Sequence, residues 1–247
     1  MIRIRKTWVL LLAAGGFFVA ATAGSAGFSG CSGATRESDY TIHAKGLRVG
    51  ELRMFCKLLP RNDRKVLQFS STTRIDANFL VYSYYMDSHE DALVGDEGTI
   101  RYSRTTKEKD SFARVEGHLD NGRFLLDIRE NGASRTMAVS RERYDYTTME
   151  CPELNLRHEG EEKTLRLLDL ETLEVVKRTY RWVKSEDVVV DGRRIHCRVI
   201  DFEDPNKRCR RWIAPDEVGA IIVRQEGTGK SGSYSLRIAH LKSGAEG

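Results

Sequence analysis

The sequence predicts an all-β protein, folded as a strongly curved antiparallel sheet or an open β-barrel, with a two-sheet sandwich as the alternative. Apolar and polar residues alternate with period two in many segments. Turn-forming pairs such as Asn121-Gly122 and Asn131-Gly132 recur between these segments and favour two-residue hairpins. We expect about twelve to fourteen strands, and so many strands in one sheet must curl, split or close.

Residues 1–30 have the three parts of a secretory signal. Arg3, Arg5 and Lys6 form a positive segment, an apolar run follows from Trp8 to Ala21, and small residues come next. A transmembrane anchor is disfavoured because the run is short for spanning a bilayer.

Two processing sites compete after this run. Ala21-Thr22-Ala23 fits signal peptidase, whereas Phe28-Ser29-Gly30-Cys31 is similar to a lipobox, with Phe28 in place of the usual aliphatic residue. The second site predicts lipidation of Cys31 and a membrane anchor. The protein is then an outer-membrane lipoprotein facing the periplasm, or a soluble periplasmic protein if the first site is used. Ser32 follows the cysteine, and by resemblance to other Gram-negative lipoproteins the absence of Asp at this position favours the outer membrane.

The remaining chain divides into three parts. Residues 31–39 are polar and predict a flexible tether, residues 40–241 a single β domain, and residues 242–247 a disordered tail. The segment Ala77 to Tyr82 is the best helical candidate, with one to two turns.

The charge balance argues against a nucleic-acid partner. The net charge is +4, but without residues 1–30 the chain has 37 basic and 36 acidic residues. No charge excess is left in the domain to drive phosphate contacts.

Four cysteines beyond Cys31 are disulfide candidates, with three pairings open. They are Cys56, Cys151, Cys197 and Cys209. A short hairpin turning at Asp204-Pro205-Asn206 would place Cys209 opposite Asp201 or Phe202, and Cys197 would then be too far away to bond with it. Free buried thiols are the alternative.

No catalytic, cofactor or metal motif is recognisable. The six histidines are scattered without the spacing of a metal pair, and the cysteines lack CxxC spacing. We therefore expect no enzyme activity, no cofactor and no metal.

The densest aromatic segment runs from Asn78 to Met86. Its aromatic residues could line a groove for an apolar ligand, although burial in the core is the simpler interpretation. The candidate groove residues are Phe79, Tyr82, Tyr84, Tyr85 and Trp212. The basic run Lys207–Arg211 next to Trp212 suits an exposed edge strand.

Three segments resemble a known family. Tyr40–Glu51 (YTIHAKGLRVGE), Val188–Arg194 (VVVDGRR) and Trp212–Glu217 (WIAPDE) are similar to bacterial periplasmic proteins of the domain-of-unknown-function family 3108. The resemblance spans roughly residues 40–241 and implies an exported, mostly antiparallel β protein of the Gram-negative envelope. It implies no catalytic residues.

The expected function is that of a non-enzymatic cell-envelope protein, which binds a lipid, a glycan or a protein partner on a curved sheet. An accessory enzyme acting on envelope polymers is the alternative. A carrier should have an apolar groove, whereas an enzyme should have a cleft with converging polar side chains.

The lipobox generates the first prediction. We expect Cys31→Ala to move the protein from the membrane fraction to the soluble periplasm, because the acyl chains can no longer be attached. Fractionation checks the location, and mass spectrometry of the wild type checks the modification. An unmodified N-terminus at Gly24 would contradict the lipobox.

Overall fold

The structure is a computed structural model that describes residues 33–61, 64–79, 82–229 and 232–245. Residues 1–32, with the leader and Cys31, lie outside it, so export and lipidation stay predictions. None of the helices in the described ranges is long and apolar enough to cross a membrane.

Within these ranges the chain forms fifteen strands and two short 3-10 helices. The strands are β1 Ala34–Ala44, β2 Leu47–Arg61, β3 Arg64–Phe79, β4 Tyr82–Gly95, β5 Gly98–Glu108, β6 Phe112–Asp120, β7 Arg123–Glu130, β8 Ala133–Ser140, β9 Tyr146–Thr147, β10 Glu162–Asp169, β11 Glu174–Val190, β12 Arg193–Glu203, β13 Lys207–Asp216, β14 Gly219–Gly229 and β15 Gly232–Ala245. The 3-10 helices are Arg141–Arg143 and Pro152–Asn155.

All the strands belong to one sheet, which confirms the predicted fold class and excludes the two-sheet sandwich. The order is β8-β7-β6-β5-β4-β3-β2-β1-β15-β14-β13-β12-β11-β10-β9, so sequential strands are neighbours and β1 pairs with β15. Every ladder is antiparallel except the short one between β9 and β10. The chain therefore forms a ring of hairpins that is open between β8 and β9.

The sheet is strongly curved. Strands β5 and β9 stand eleven places apart in the strand order, yet the hydroxyl oxygens of Thr99 and Thr147 lie 2.6 Å apart. Side-chain contacts rather than a backbone ladder therefore bring the open side together.

Two apolar clusters lie on opposite faces of the sheet. The larger one fills the inside of the curve and takes residues from nearly every strand. The smaller one belongs to β11–β15 and is centred on Cys197, Val199 and Trp212. Successive strand residues point to opposite faces, so Val199 faces the small cluster and Ile200 faces the large one.

The turn chemistry is as predicted. Both central residues have positive φ at four two-residue turns, as the type I′ hairpin requires. These turns are Lys45-Gly46, Asn121-Gly122, Asn131-Gly132 and Asp191-Gly192.

Both chain ends depart from the prediction. Residues 34–39 belong to β1 rather than to a tether, because they pair with β2 and β15 on both sides. Ala34, Arg36 and Ser38 alternate with more exposed residues and are buried. Residues 242–245 likewise extend β15 along β1 rather than forming a disordered tail.

The helical candidate Ala77 to Tyr82 is also wrong. The backbone pairs Ala77 with Tyr84 and Phe79 with Tyr82 in the β3–β4 ladder. Aromatic side chains favour strands, and the pairing of two long strands outweighs a weak local helix preference.

Gly50 lies where β2 bends beside β3. The β1–β2 register shifts between Ile42 and His43, opposite Gly50 and Arg48, which is the geometry of a β-bulge. A Cβ atom on Gly50 would stand 2.3 Å from the carbonyl oxygen of Arg74. Backbone of a central strand cannot move away as a flexible side chain can.

We therefore expect Gly50→Ala to lower the free energy of unfolding by about 2–3 kcal/mol, as overpacking does. Gly229→Ala is the matched control, since its Cβ would meet nothing closer than 3.6 Å. Urea unfolding of both variants measures the difference. Equal stability of the two would contradict the close approach.

Candidate functional site

A large cleft lies on the face of the sheet opposite the main core, near the ends of β10–β15 and the β1–β2 turn. Its volume is about 780 Å³, and it is open to solvent. Strand residues from Glu162 to Ser235 line it together with His43 and Lys45. Because strands that are far apart in the sheet share one cleft, the sheet is concave here.

A transverse row of side chains crosses the floor of this cleft. Its members lie directly opposite one another on successive strands, from β10 to β1. The row reads Glu162, Arg181, Asp201, Arg210, Glu226, Ser235 and His43. The first five alternate in sign, and opposite charges on facing strand positions attract.

A second row runs parallel to the first, two residues nearer the hairpin turns. It reads Thr179, Glu203, Arg208, Thr228 and Ser233, with Lys45 beside its end, since the Lys45 N–H donates to the Ser233 carbonyl oxygen over 3.5 Å. We call the two rows together the charge ladder.

Most charges of the ladder are neutralised locally. Arg210 donates to both carboxylate oxygens of Asp201, at 2.6 and 2.7 Å, and these hydrogen bonds raise the pKa of Arg210. Arg208 Nε lies 3.0 Å from Glu203 Oε2. Arg181 and Lys45 form no ion pair with any described residue and are available to a ligand.

The basic run is therefore not an edge strand. Strand β13 lies between β12 and β14. Its residues alternate, with Arg208 and Arg210 towards the cleft and Lys207 and Arg211 buried on the core side. The run is basic because both the cleft face and the core face of β13 carry positively charged side chains.

The core side holds a buried ionic cluster. Arg178 is completely buried and donates to Asp204 over 2.8 Å and to Asp169 over 3.3 Å. Burial disfavours its charge, but Tyr180 and these carboxylates outweigh that effect and raise the pKa of Arg178.

Lys207 joins the same cluster. Its Nζ lies 3.4 Å from Glu171 and 3.9 Å from Asp169. Burial raises the pKa of Glu171, although Lys207 opposes the shift. Across the interior, Arg104 of β5 donates to the Glu171 carbonyl oxygen over 3.3 Å, so the cluster connects the two halves of the ring.

Arg211 is the second buried arginine of this region. It donates through Nε to Gln225 over 2.8 Å and pairs with Glu153 of the second 3-10 helix. The guanidinium groups of Arg178 and Arg211 both lie over the ring of Phe202, 5.0 and 4.8 Å from its centre. Both guanidinium groups are buried on the core side and are paired with side chains of the protein itself, so they are not exposed in the cleft.

A smaller cleft of about 360 Å³ lies where β9 meets the β4–β5 turn. The Glu150 carboxylate accepts hydrogen bonds from the backbone N–H of Thr147 and of Thr99, at 3.0 and 3.3 Å. Burial raises the pKa of Glu150. Because Glu150 Oε1 accepts from both Thr147 of β9 and Thr99 of β5, it fastens β9 to β5.

The four described cysteines are free and buried, so the expected disulfides are not formed among them. The predicted hairpin register is confirmed, because Phe202 lies opposite Cys209. Cys197 is five residues from Phe202 and therefore points to the other face, into the small cluster. Arg36 contacts Cys56 Sγ at 3.4 Å.

Burial also disfavours the thiolate form of these cysteines. It raises the pKa of Cys197 to about 12 and raises the pKa of Cys56, Cys151 and Cys209 as well. Thiols react as thiolates, so protonated buried groups are poor nucleophiles. No group of three metal-ligating side chains is found in the described part of the chain.

The described residues of the candidate aromatic groove do not come together, and the burial of Tyr84 and Trp212 agrees with the simpler interpretation as core. Tyr84 is buried and its hydroxyl donates to Glu108 over 3.3 Å, whereas Tyr85 points to the opposite face and is 38% exposed. Trp212 is buried in the small cluster, six strands away from β4. The side chains of Phe79 and Tyr82 lie outside the described part.

Comparison with known proteins identifies a fold but no family. No family model matches the chain, and no curated protein matches it. A crystal structure of a beta-barrel-like protein of the domain of unknown function DUF1849 from Brucella abortus matches with a TM-score of 0.62 at 14% identity. The match covers 87% of this chain and 99% of the other. At this identity the likeness concerns the fold alone.

Tyr84 and Tyr85 make a matched pair for testing which face is core. We expect Tyr84→Glu to cost several kcal/mol of stability, because it buries a carboxylate against the existing Glu108. Tyr85→Glu should change the free energy of unfolding by no more than about 0.5 kcal/mol, as exposed substitutions do. Thermal and urea unfolding measure both. A stable Tyr84→Glu variant would contradict the assignment of faces.

Proposed function

We propose that the protein is an exported, non-enzymatic envelope protein that binds a polar glycan of mixed charge in the cleft of the charge ladder. The signal-like leader and the lipobox at Cys31 support export and anchoring in the outer membrane. Of the lipid, glycan and protein ligands that the sequence left open, the cleft lining favours the glycan.

The lining of the cleft is the observation that carries the proposal. It has four basic side chains (Lys45, Arg181, Arg208, Arg210) and four acidic ones (Glu162, Asp201, Glu203, Glu226), so its formal charge is balanced. Hydroxyl groups of the second row lie between them. Such a surface offers donors and acceptors to a hydroxyl-rich ligand. The aromatic residues of the lining, Phe202 and Tyr234, are buried and present no exposed ring to an acyl chain.

The burial of Tyr84 and Trp212 supports the same choice. An acyl-chain carrier needs a groove of exposed apolar side chains, but these two aromatics are packed in separate clusters. Balanced charge also disfavours a simple polyanion, which would need a surplus of cations.

The accessory-enzyme alternative requires a nucleophile or a base that can reach a substrate. Three carboxylates of the ladder, Asp201, Glu203 and Glu226, are paired with arginines, and Glu150 in the second cleft accepts bonds from Thr99 and Thr147. Groups held in this way position strands rather than react, which supports binding over catalysis.

The test uses a disaccharide tetrapeptide released from peptidoglycan, which carries sugar hydroxyls, carboxylates and an amine. We expect calorimetry to detect binding to the wild type, and Arg181→Ala to weaken it at least about tenfold, or about 1.4 kcal/mol. Arg181 has no ion pair to lose, so the melting temperature should stay unchanged.

Arg129→Ala is the matched control, because Arg129 is an exposed strand arginine on β7, outside the cleft. It should leave the affinity unchanged. Uptake of a fluorescent fatty acid without binding of the disaccharide would contradict the proposal and favour an apolar ligand. Cleavage of the disaccharide probe would instead favour the accessory enzyme.

A further inference from the structure

Strand β8 is an exposed edge of the sheet. It pairs with β7 over all eight residues without a register shift, and its other side has no strand partner among the described residues. All of its first six residues, from Ala133 to Ala138, are exposed or half-exposed. Proteins usually shorten, bend or cover such an edge because it can pair with another chain.

The opposite edge of the sheet is protected in that way. Strand β9 has only two residues, and the hydroxyl of Thr147 is hydrogen-bonded to the hydroxyl of Thr99 of β5. The chain after β9 continues into the second 3-10 helix, whose Glu153 is buried against Arg211. The β9 edge is therefore protected from pairing with another chain, whereas the β8 edge is not.

The hairpin geometry identifies which backbone groups of β8 face outwards. The two-residue turn Asn131-Gly132 joins Glu130 to Ala133, and such a turn closes with a hydrogen bond from the Ala133 N–H to the Glu130 carbonyl oxygen. Hydrogen bonding to β7 then alternates along the strand. The N–H and C=O groups of Ser134, Thr136 and Ala138 consequently point away from the sheet.

The side chains of β8 also determine which side chains a strand added to this edge should carry. Arg135, Met137 and Val139 lie opposite Ile128, Leu126 and Phe124, whose side chains are buried in the core. Val139 is buried and Met137 packs against the main cluster. Arg135 is exposed on this same face and forms no ion pair with any described residue.

We propose that β8 accepts an extended segment of another polypeptide as an added antiparallel strand, with an acidic side chain opposite Arg135 and apolar side chains opposite Met137 and Val139. The main chain supplies the affinity and the alternating side chains supply the choice of partner, as in other cases of strand addition. This surface is separate from the cleft and does not depend on the proposed glycan site.

A second copy of the chain fits the same edge less well. Twofold antiparallel pairing of β8 with itself, centred on Thr136, would place Arg135 opposite Met137 of the other copy. Arg135 would then stay without an acidic partner. An eight-residue edge also gives a small interface, whereas stable dimers bury well over about 1,000 Å².

The test measures binding of a synthetic peptide by fluorescence anisotropy. Its sequence, with blocked ends, is Ile-Thr-Val-Thr-Glu-Thr-Val, so that antiparallel pairing sets its glutamate opposite Arg135. We expect saturable binding, and at least about tenfold weaker binding after N-methylation of the central threonine. That methyl group removes the N–H that would donate to the Thr136 carbonyl oxygen.

Two variants locate the site. Thr136→Pro removes an outward N–H that β7 does not use, so it should abolish binding and leave the fold intact, whereas Thr136→Ala keeps the N–H and should bind normally. Arg135→Glu should weaken the glutamate peptide at least about tenfold and restore binding to the peptide with lysine in that position.

The charge exchange keeps the proposal falsifiable if Thr136→Pro fails to fold. Absence of saturable binding up to about 1 mM peptide, or equal binding of both peptides to wild type and Arg135→Glu, overturns it. Concentration-dependent dimerisation that Thr136→Pro abolishes and Arg135→Glu leaves unchanged also overturns it, in favour of pairing between two copies.

Discussion

Buried guanidinium groups constrain how this sheet can close. Arg36, Arg178 and Arg211 are at most 1% exposed, and a buried charge that loses its partner costs about 3–5 kcal/mol. Each arginine therefore requires a carboxylate from elsewhere in the fold. Arg36 pairs with Asp216 at the end of β13, and Arg211 pairs with Glu153 in the segment that follows β9. These pairs attach the turns and the 3-10 helix to the sheet.

The two faces of β11–β15 have different roles. The core face holds buried ion pairs that stabilise the fold, and the opposite face carries the candidate binding cleft. On the core side, charges are isolated from water and held in fixed pairs such as Arg178 with Asp204. On the cleft side, the pairs are exposed, and exposed pairs contribute little to stability. Selection for stability alone does not explain charges that alternate in sign across five neighbouring strands. The cleft rather than the core is therefore the place to seek a ligand.

Local features of the fold could be predicted from the sequence, and long-range features could not. Asp204-Pro205-Asn206 determines its own turn, so the Phe202–Cys209 register followed from turn chemistry. In β11 the period-two alternation places Val176, Arg178 and Tyr180 on one face. The burial of Arg178 does not follow from this local pattern, because arginine is rarely buried without a partner. Its partners come from distant segments, Asp169 from the end of β10 and Asp204 from the β12–β13 turn. The cleft depends on the order and curvature of seven strands, which no single segment encodes.

The pairing of β1 with β15 also affects the order in which the strands can pair during synthesis. Ala34 lies opposite Ala245, so the first described strand and the last one are neighbours although almost the whole domain separates them in the chain. During synthesis β1 gains β2 at once, but its other side stays unsatisfied until the final strand emerges. Contacts between distant segments form slowly and leave strand edges exposed meanwhile. A chain that is shortened at its C-terminus therefore loses the ladder that joins its two halves, not a dispensable tail.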